Sequence, residues 1–202
     1  ASKLIAFSKE HYHVNSLKLI PEEIANSLDK SEFVAKPDLN SHDYVYSVPK
    51  LANMNAWPKN SSTKVIRQLI KKYPDYEIKQ CSVQEIAKEE YEEMFKKWAR
   101  NKKIANHLEL NEYKALKRFL EIKNGNIEVV SLYKDNRLIG FTAYEIISKD
   151  YAISHFAKAD KRHHSAIYDV LNWEEAKLLN IKRVKYYNWE QDLGLEGLRH
   201  SK

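Results

Sequence analysis

The side chains best able to do chemistry gather near the C-terminal end. Between Asn188 and Lys202 the carboxylates Glu190, Asp192 and Glu196 are interleaved with Gly194 and Gly197, and Arg199, His200 and Lys202 follow. Glycine admits positive φ and close backbone approach, so the segment can close as a tight loop that presents Glu190, Asp192 and Arg199 together. A plain turn with an exposed tail is the other reading. Upstream, Ser154 to Asp160 ends in Lys158 and Asp160. Strand alternation puts His155 and Ala157 on one face and Phe156 and Lys158 on the other. A lysine at the splayed end of a sheet can hold a phosphate or a carbonyl oxygen; it can also be a surface cation. Lys161-Arg162-His163-His164-Ser165 then precedes a helix, whose first N–H groups and neighbouring cations suit an anion, although no glycine is present to let a pyrophosphate approach.

Other chemistries lack their residues. The four glycines (Gly125, Gly140, Gly194, Gly197) fit neither a dinucleotide turn nor a phosphate loop. Cys81, the single cysteine, excludes an internal disulfide and reads as a half-buried strand residue. His11 and His13 share a strand face without further ligands at a defined spacing, so no metal is expected. Lys and Arg number 34 against 28 Asp and Glu, a net charge of +6. That balance suits RNA, a nucleotide-like cofactor or an anionic lipid surface, with both signs scattered along the chain. No apolar run approaches the ~20 residues of a membrane span, and the start does not read as a signal peptide. A cytoplasmic protein, peripheral to a membrane where a lipid is its partner, is the expectation.

These residues need elements to position them. All five prolines lie at or before Pro74 and all four glycines after residue 124, which places a seam near Tyr73-Pro74-Asp75. Before it, Leu4–Phe7, Val14–Ile20, Phe33–Ala35 and Asp43–Val48 read as strands, and Pro21 opens a short helix over Glu22–Leu28. Asn60, Ser61, Ser62 and Thr63 offer caps for a helix with Val65, Ile66, Leu69, Ile70 and Tyr73 on one stripe. After the seam, Tyr76–Cys81 is a strand, and Ser82 with Glu85 has capping-box spacing before a helix through Tyr91, Phe95 and Trp98. Asn111 caps a second helix. Ile127–Tyr133 and Leu138–Ile147 flank Asp135-Asn136 as a hairpin, and Tyr151–Ala157 adds a third strand. Ala166–Leu179 is a helix and Val184–Tyr187 a last strand. A strand–helix–strand crossover implies a parallel pair, here Tyr151–Ala157 beside Val184–Tyr187, diverging toward Lys158 and Asn188 where ligands favour binding. The order is that of the acyl-CoA N-acyltransferase (GNAT) fold, an α/β mixed sheet flanked by helices.

Four phrases carry a more specific likeness: His42 to Tyr46, Tyr73 to Glu77, His155 to Asp160, and Asn188 to Arg199. From about Ser41 to Lys202 the chain resembles the phosphatidylglycerol lysyltransferase C-terminal domain family. The resemblance implies tandem GNAT-like halves, a partial one over 1–74 and another over 75–202. It implies transfer of an aminoacyl group from aminoacyl-tRNA to a lipid or another hydroxyl or amine acceptor. The matching positions are Lys158, Asp160, Tyr168, Asn188, Glu190, Asp192, Arg199 and Lys202. In that reading Lys158 and Arg199 hold phosphate or the oxyanion, Glu190 or Asp192 orients or deprotonates the acceptor, and Asp160, Tyr168, Asn188 and Lys202 bind substrate. The sequence departs from the family pattern at Ser62-Thr63-Lys64, where a Lys-Arg-Asn cluster is usual, at Ala166 for a glycine and at Trp189 for an arginine. Two other readings stay open: an acyl-CoA N-acyltransferase using the same crevice, and a non-catalytic binding module.

Overall fold

Neighbouring valines of one strand part company: Val129 joins one hydrophobic core and Val130 another. Period-two alternation therefore builds a sheet buried on both faces. The structure, a computed structural model, describes residues 1–58, 62–123 and 125–202; the cap candidates Asn60 and Ser61 lie outside them. Along the chain run α1 (Ser2–Tyr12), α2 (Glu22–Asn26), β1 (Val45–Ser47), α3 (Val48–Ala52), α4 (Thr63–Lys72), β2 (Glu77–Ser82), α5 (Lys88–Asn101) and α6 (Asn111–Leu120). There follow β3 (Ile127–Lys134), β4 (Arg137–Ser148), β5 (Tyr151–Ala159), α7 (Ile167–Ile181), β6 (Tyr186–Asn188) and α8 (Glu196–Ser201).

Two compact units divide the chain. The larger, Tyr44–Glu190, contains the whole sheet; the smaller joins Ala1–Asp43 with Gln191–Lys202. The seam expected near Tyr73 lies inside the larger unit, because Val48 of α3 and Ile66 and Leu69 of α4 are buried in the same core as α7.

In the larger unit the strand order is β1-β6-β5-β4-β3-β2, with β5 and β6 parallel and every other pair antiparallel. The mixed sheet flanked by helices and its one parallel pair agree with the expected α/β class. On one face α7 packs Ile167, Val170 and Leu171 against Ile139 and Tyr144. On the other, α5 and α6 pack Tyr91, Phe95, Leu116 and Phe119 against Phe141 and Ala143. Gly140 sets the spacing of α7: a Cβ there would stand 2.8 Å from Ile167 Cγ2 and 3.0 Å from Leu171 Cδ1. Asp135 and Asn136 both take positive φ, 52° and 57°, as a two-residue hairpin turn of the right twist demands.

The smaller unit corrects the sequence reading. Leu4–Phe7 lies inside helix α1, and neither Val14–Ile20 nor Phe33–Ala35 is a strand. Four-residue alternation is too short to outweigh the Lys, Leu, Ala and Glu of Ser2–Tyr12, all good helix formers. Boundaries moved elsewhere: the helix expected right after Ser82 begins at Lys88, although the Glu85 carboxylate still accepts the Ser82 N–H at 2.8 Å. Among the described residues no helix is long and apolar enough to cross a membrane.

Candidate functional site

The parallel pair is short. Tyr151, Ala152 and Ile153 of β5 stand opposite Tyr186, Tyr187 and Asn188 of β6. Beyond them β5 stays with β4 as far as the Gly140–Ala159 pair. The chain leaving β6 instead follows β1: the Trp189 N–H donates to Tyr44 O at 2.9 Å and the Tyr44 N–H to Glu190 O at 3.1 Å. A fork results, with its open end toward Lys158 on one arm and Asn188–Glu190 on the other, as expected. Asn188 is buried, and its Oδ1 accepts the Glu190 N–H at 2.7 Å. That side-chain turn holds Glu190 at φ 57°.

Along the β5 arm, alternation sends Lys158 toward α5 and α6, where it is only 8% exposed. Its Nζ lies 4.2 Å from the Trp98 ring centroid and donates to Glu112 Oε1 at 3.1 Å. Burial pushes the ammonium's pKa down, with Glu112 pulling back up and Lys102 adding to the depression. Next, the Ala159 N–H donates to Tyr168 Oη at 3.2 Å, and the Trp98 indole also bonds that oxygen. Burial pushes the Tyr168 phenol up to about 12. Asp160 is buried and accepts from Arg162 Nε (2.9 Å), Arg162 Nη2 (2.7 Å) and Asn101 Nδ2 (2.8 Å). The Arg162 bonds hold its carboxyl well below the usual carboxylate range. One end of β5, the second half of α5 and the first turns of α6 and α7 thus converge on a lysine, a phenol and a fixed carboxylate.

At the closed end of the fork lies a group that sequence reasoning missed. Glu175 of α7 is fully buried and accepts from Thr142 Oγ1 at 3.2 Å and Tyr187 Oη at 2.5 Å; Tyr187 also bonds Ser154. Burial pushes its carboxyl up to about 8. The signal was present, since Glu175 follows Ile167 and Leu171 at four-residue steps on the apolar side of α7. Trp98, Asn101 and Glu112 were also missed; Trp98 reads as ordinary core.

The remaining candidates belong to the smaller unit. Asp192 is buried and accepts from Arg199 Nε at 2.8 Å, Arg199 Nη2 at 3.1 Å and the Gly194 N–H at 2.7 Å, with Gly194 at φ 73°. Arg199 Nη2 also donates to Asn40 Oδ1 at 2.8 Å, and Lys202 Nζ to Gln191 O at 2.7 Å. Asp192 and Arg199 meet, as the glycine spacing implies, and each fixes the other. Cys81 is half-buried, and burial with Glu85 and Glu128 raises its thiol, against a nucleophilic role.

A family model described as phosphatidylglycerol lysyltransferase, C-terminal, matches residues 1–202. A conserved protein of unknown function from Bacteroides thetaiotaomicron VPI-5482 superposes with a TM-score of 0.65 at 25% identity, over 81% of this chain and 55% of that one. L-PGS from Bacillus licheniformis superposes with a TM-score of 0.56 at 11% identity, over 78% and 49%. A ribosomal-protein-alanine N-acetyltransferase from Brucella melitensis biovar Abortus 2308 gives 0.45 at 12%, over 63% and 87%. The chain spans about half the length of the first two. A comparison with curated proteins finds no match.

Proposed function

The chain belongs to the phosphatidylglycerol lysyltransferase C-terminal family, and on that premise we propose that it transfers an aminoacyl group from an aminoacyl-tRNA ester to a hydroxyl or amine acceptor, a lipid headgroup foremost, at the β5–β6 fork. The observation that carries this reading is the end of the β5 arm, where a buried lysine and a main-chain N–H bonded to a phenol stand side by side.

An aminoacyl ester needs little activation; it needs positioning and a place for negative charge. The acceptor attacks the ester carbon, and the carbonyl electron pair moves to oxygen. The Ala159 N–H, exchanging its bond to Tyr168, and Lys158 in its ammonium form are the donors for that oxyanion. Glu190, set by its turn with Asn188, takes the acceptor's proton. As the intermediate collapses, the ribose oxygen leaves with the Tyr168 proton, which a phenol raised to about 12 retains until then. Asp160, clamped by Arg162 and Asn101, fixes the end of the arm. In the smaller unit Asp192 holds Arg199, a cation of the kind that binds a phosphate. Asp192, its carboxylate bonded by Arg199 and the Gly194 N–H, is assigned this holding role.

The test is transfer of a radiolabelled aminoacyl group. Label moving from charged tRNA to phosphatidylglycerol in vesicles, reduced at least tenfold in Lys158→Gln and Tyr168→Phe, supports the reading. Label moving from acyl-CoA and not from charged tRNA replaces it with the N-acyltransferase. Transfer from neither, with both ligands failing to raise the melting temperature, leaves a binding module.

A further inference from the structure

From Tyr44 to Pro74 the sequence carries six cations and no carboxylate, and four of those cations sit on α4. The buried face of α4 is apolar, with Ile66 and Leu69 fully covered in the core. At ~100° per residue, Lys64, Arg67 and Lys71 fall on the opposite face and Lys72 on its flank, and all four are exposed. Lys64 and Lys71 are seven residues apart, which spans about 10 Å at ~1.5 Å per residue. Several surface cations elsewhere pair, Lys96 with Glu93, Lys117 with Glu92, Lys134 with Asp75 and Lys185 with Asp150. Among the described residues no ion pair involves α4. Like charges held on one helix face repel, and nothing in this unit's core requires four of them.

The stripe leads to the candidate site. Where α4 ends, Tyr73 Oη donates to His163 O at 2.9 Å. This ties the helix to Lys161–His164, the loop that runs from Asp160 into α7, and Lys161 Nζ lies 5.2 Å from the Tyr168 ring centroid. A row of cations thus continues from an open helix face to the end of the β5 arm.

We propose that the cationic face of α4 is a docking track for the phosphodiester backbone of the donor RNA, with the Lys161–His164 loop carrying it to the fork. The inference rests on the aminoacyl-tRNA reading above. Helices that lie on bilayers set insertable apolar side chains beside their cations, whereas no large apolar side chain of α4 is exposed. A face with charge and no insertable apolar group fits a row of phosphates better than a lipid surface.

The test measures binding of the 202-residue protein to an uncharged tRNA, and to an RNA hairpin with a single-stranded 3′ end, across a salt series. The variant is Lys64→Gln with Arg67→Gln and Lys71→Gln. A charge-matched control replaces Lys114, Arg118 and Lys123 with Gln on the α6 side. The track loses two to three units of the slope of log affinity against log salt, at ~0.7–0.9 per phosphate contact, and the control keeps its slope. Equal losses in variant and control, or an unchanged slope in the variant, overturn the inference while leaving the donor reading in place. Loss of binding to phosphatidylglycerol vesicles with RNA binding intact overturns it in favour of a membrane face. Absence of saturable RNA binding by the unaltered protein overturns the donor reading, and the track with it.

Discussion

The two sides of the sheet each bury a carboxyl and treat it in opposite ways. Where β5 ends beside α5, Asp160 receives the Arg162 guanidinium and the Asn101 amide, and stays ionised to unusually low pH. Under the α7 face, Glu175 receives the hydroxyls of Thr142 and Tyr187, and burial pushes it up to about 8. Both side chains are almost wholly covered, but Glu175 lies deeper, and burial dominates its shift whereas the Arg162 bonds dominate that of Asp160. The difference lies also in what donates: a charged donor offsets lost hydration, whereas neutral hydroxyls offset part of it. The charged arrangement stands at the open end of the fork, where a fixed anion can orient substrate. The neutral one stands at the closed end, where a protonated carboxyl can seal the strands together.

The largest expected effect follows from Glu175. Between its ordinary range near ~4.3 and about 8 the folded state binds one more proton than the unfolded state. Its contribution is therefore complete at acid pH and falls as pH rises through about 8, on the order of 1.4 kcal/mol per unit. Denaturant unfolding between pH 5 and 9 checks this: Glu175→Gln flattens the loss relative to the unaltered protein. Parallel curves would mean that Glu175 is ionised at neutral pH and the contrast false.

Asp160 has the opposite sign. Its lowered pKa gives stability that is present above the usual aspartate range and lost as pH falls below about 4. Asp160→Ala removes several charge-assisted bonds and costs about 2–3 kcal/mol at pH 7; Arg162, largely exposed, is rehydrated by water. Unfolding midpoints of variant and parent should differ most at pH 7, still differ at pH 3 because the folded carboxylate stays ionised there, and converge only at more acid pH.

Gly140 tests the seal over Glu175. A methyl there meets Ile167 Cγ2 at 2.8 Å, so Gly140→Ala costs about 1–3 kcal/mol by overpacking. Amide exchange within α7 should speed up more than exchange within α5.

The smallest effect belongs to the smaller unit. Arg199 is half-exposed but Asp192 beneath it is buried, so Arg199→Ala leaves a covered carboxylate with fewer donors and costs about 1–2 kcal/mol. It should show as faster amide exchange at Gly194 and Leu195, with the sheet unchanged.

Much of the larger unit was legible because its signals are local. The Asp135-Asn136 turn, the amphipathic stripe of α4 and the strand–helix–strand crossover each rest on neighbours in sequence. Asp192 and Arg199 met because Gly194 lets seven residues close on themselves. The partners of Glu175 come from β4 and β6, and Asn101 reaches Asp160 from 59 residues away. No spacing rule announces pairs of that kind. The first 43 residues were misread for a different reason: α1 and α2 bury no residue, so their apolar positions report no face.

The central claim is that the acyl group is handled at the fork, between Lys158, Ala159 and Tyr168. The most direct measurement is amide chemical-shift mapping during titration with a stable 3′-aminoacylamino-adenosine, the amide analogue of a charged tRNA end. The largest shifts are expected at Ala159, Asp160 and Tyr168, with the Ala159 amide moving as it trades Tyr168 for the ligand carbonyl. Shifts centred instead on the cleft lined by Lys79, Glu90 and Tyr133, with Ala159 unmoved at saturation, would contradict the account.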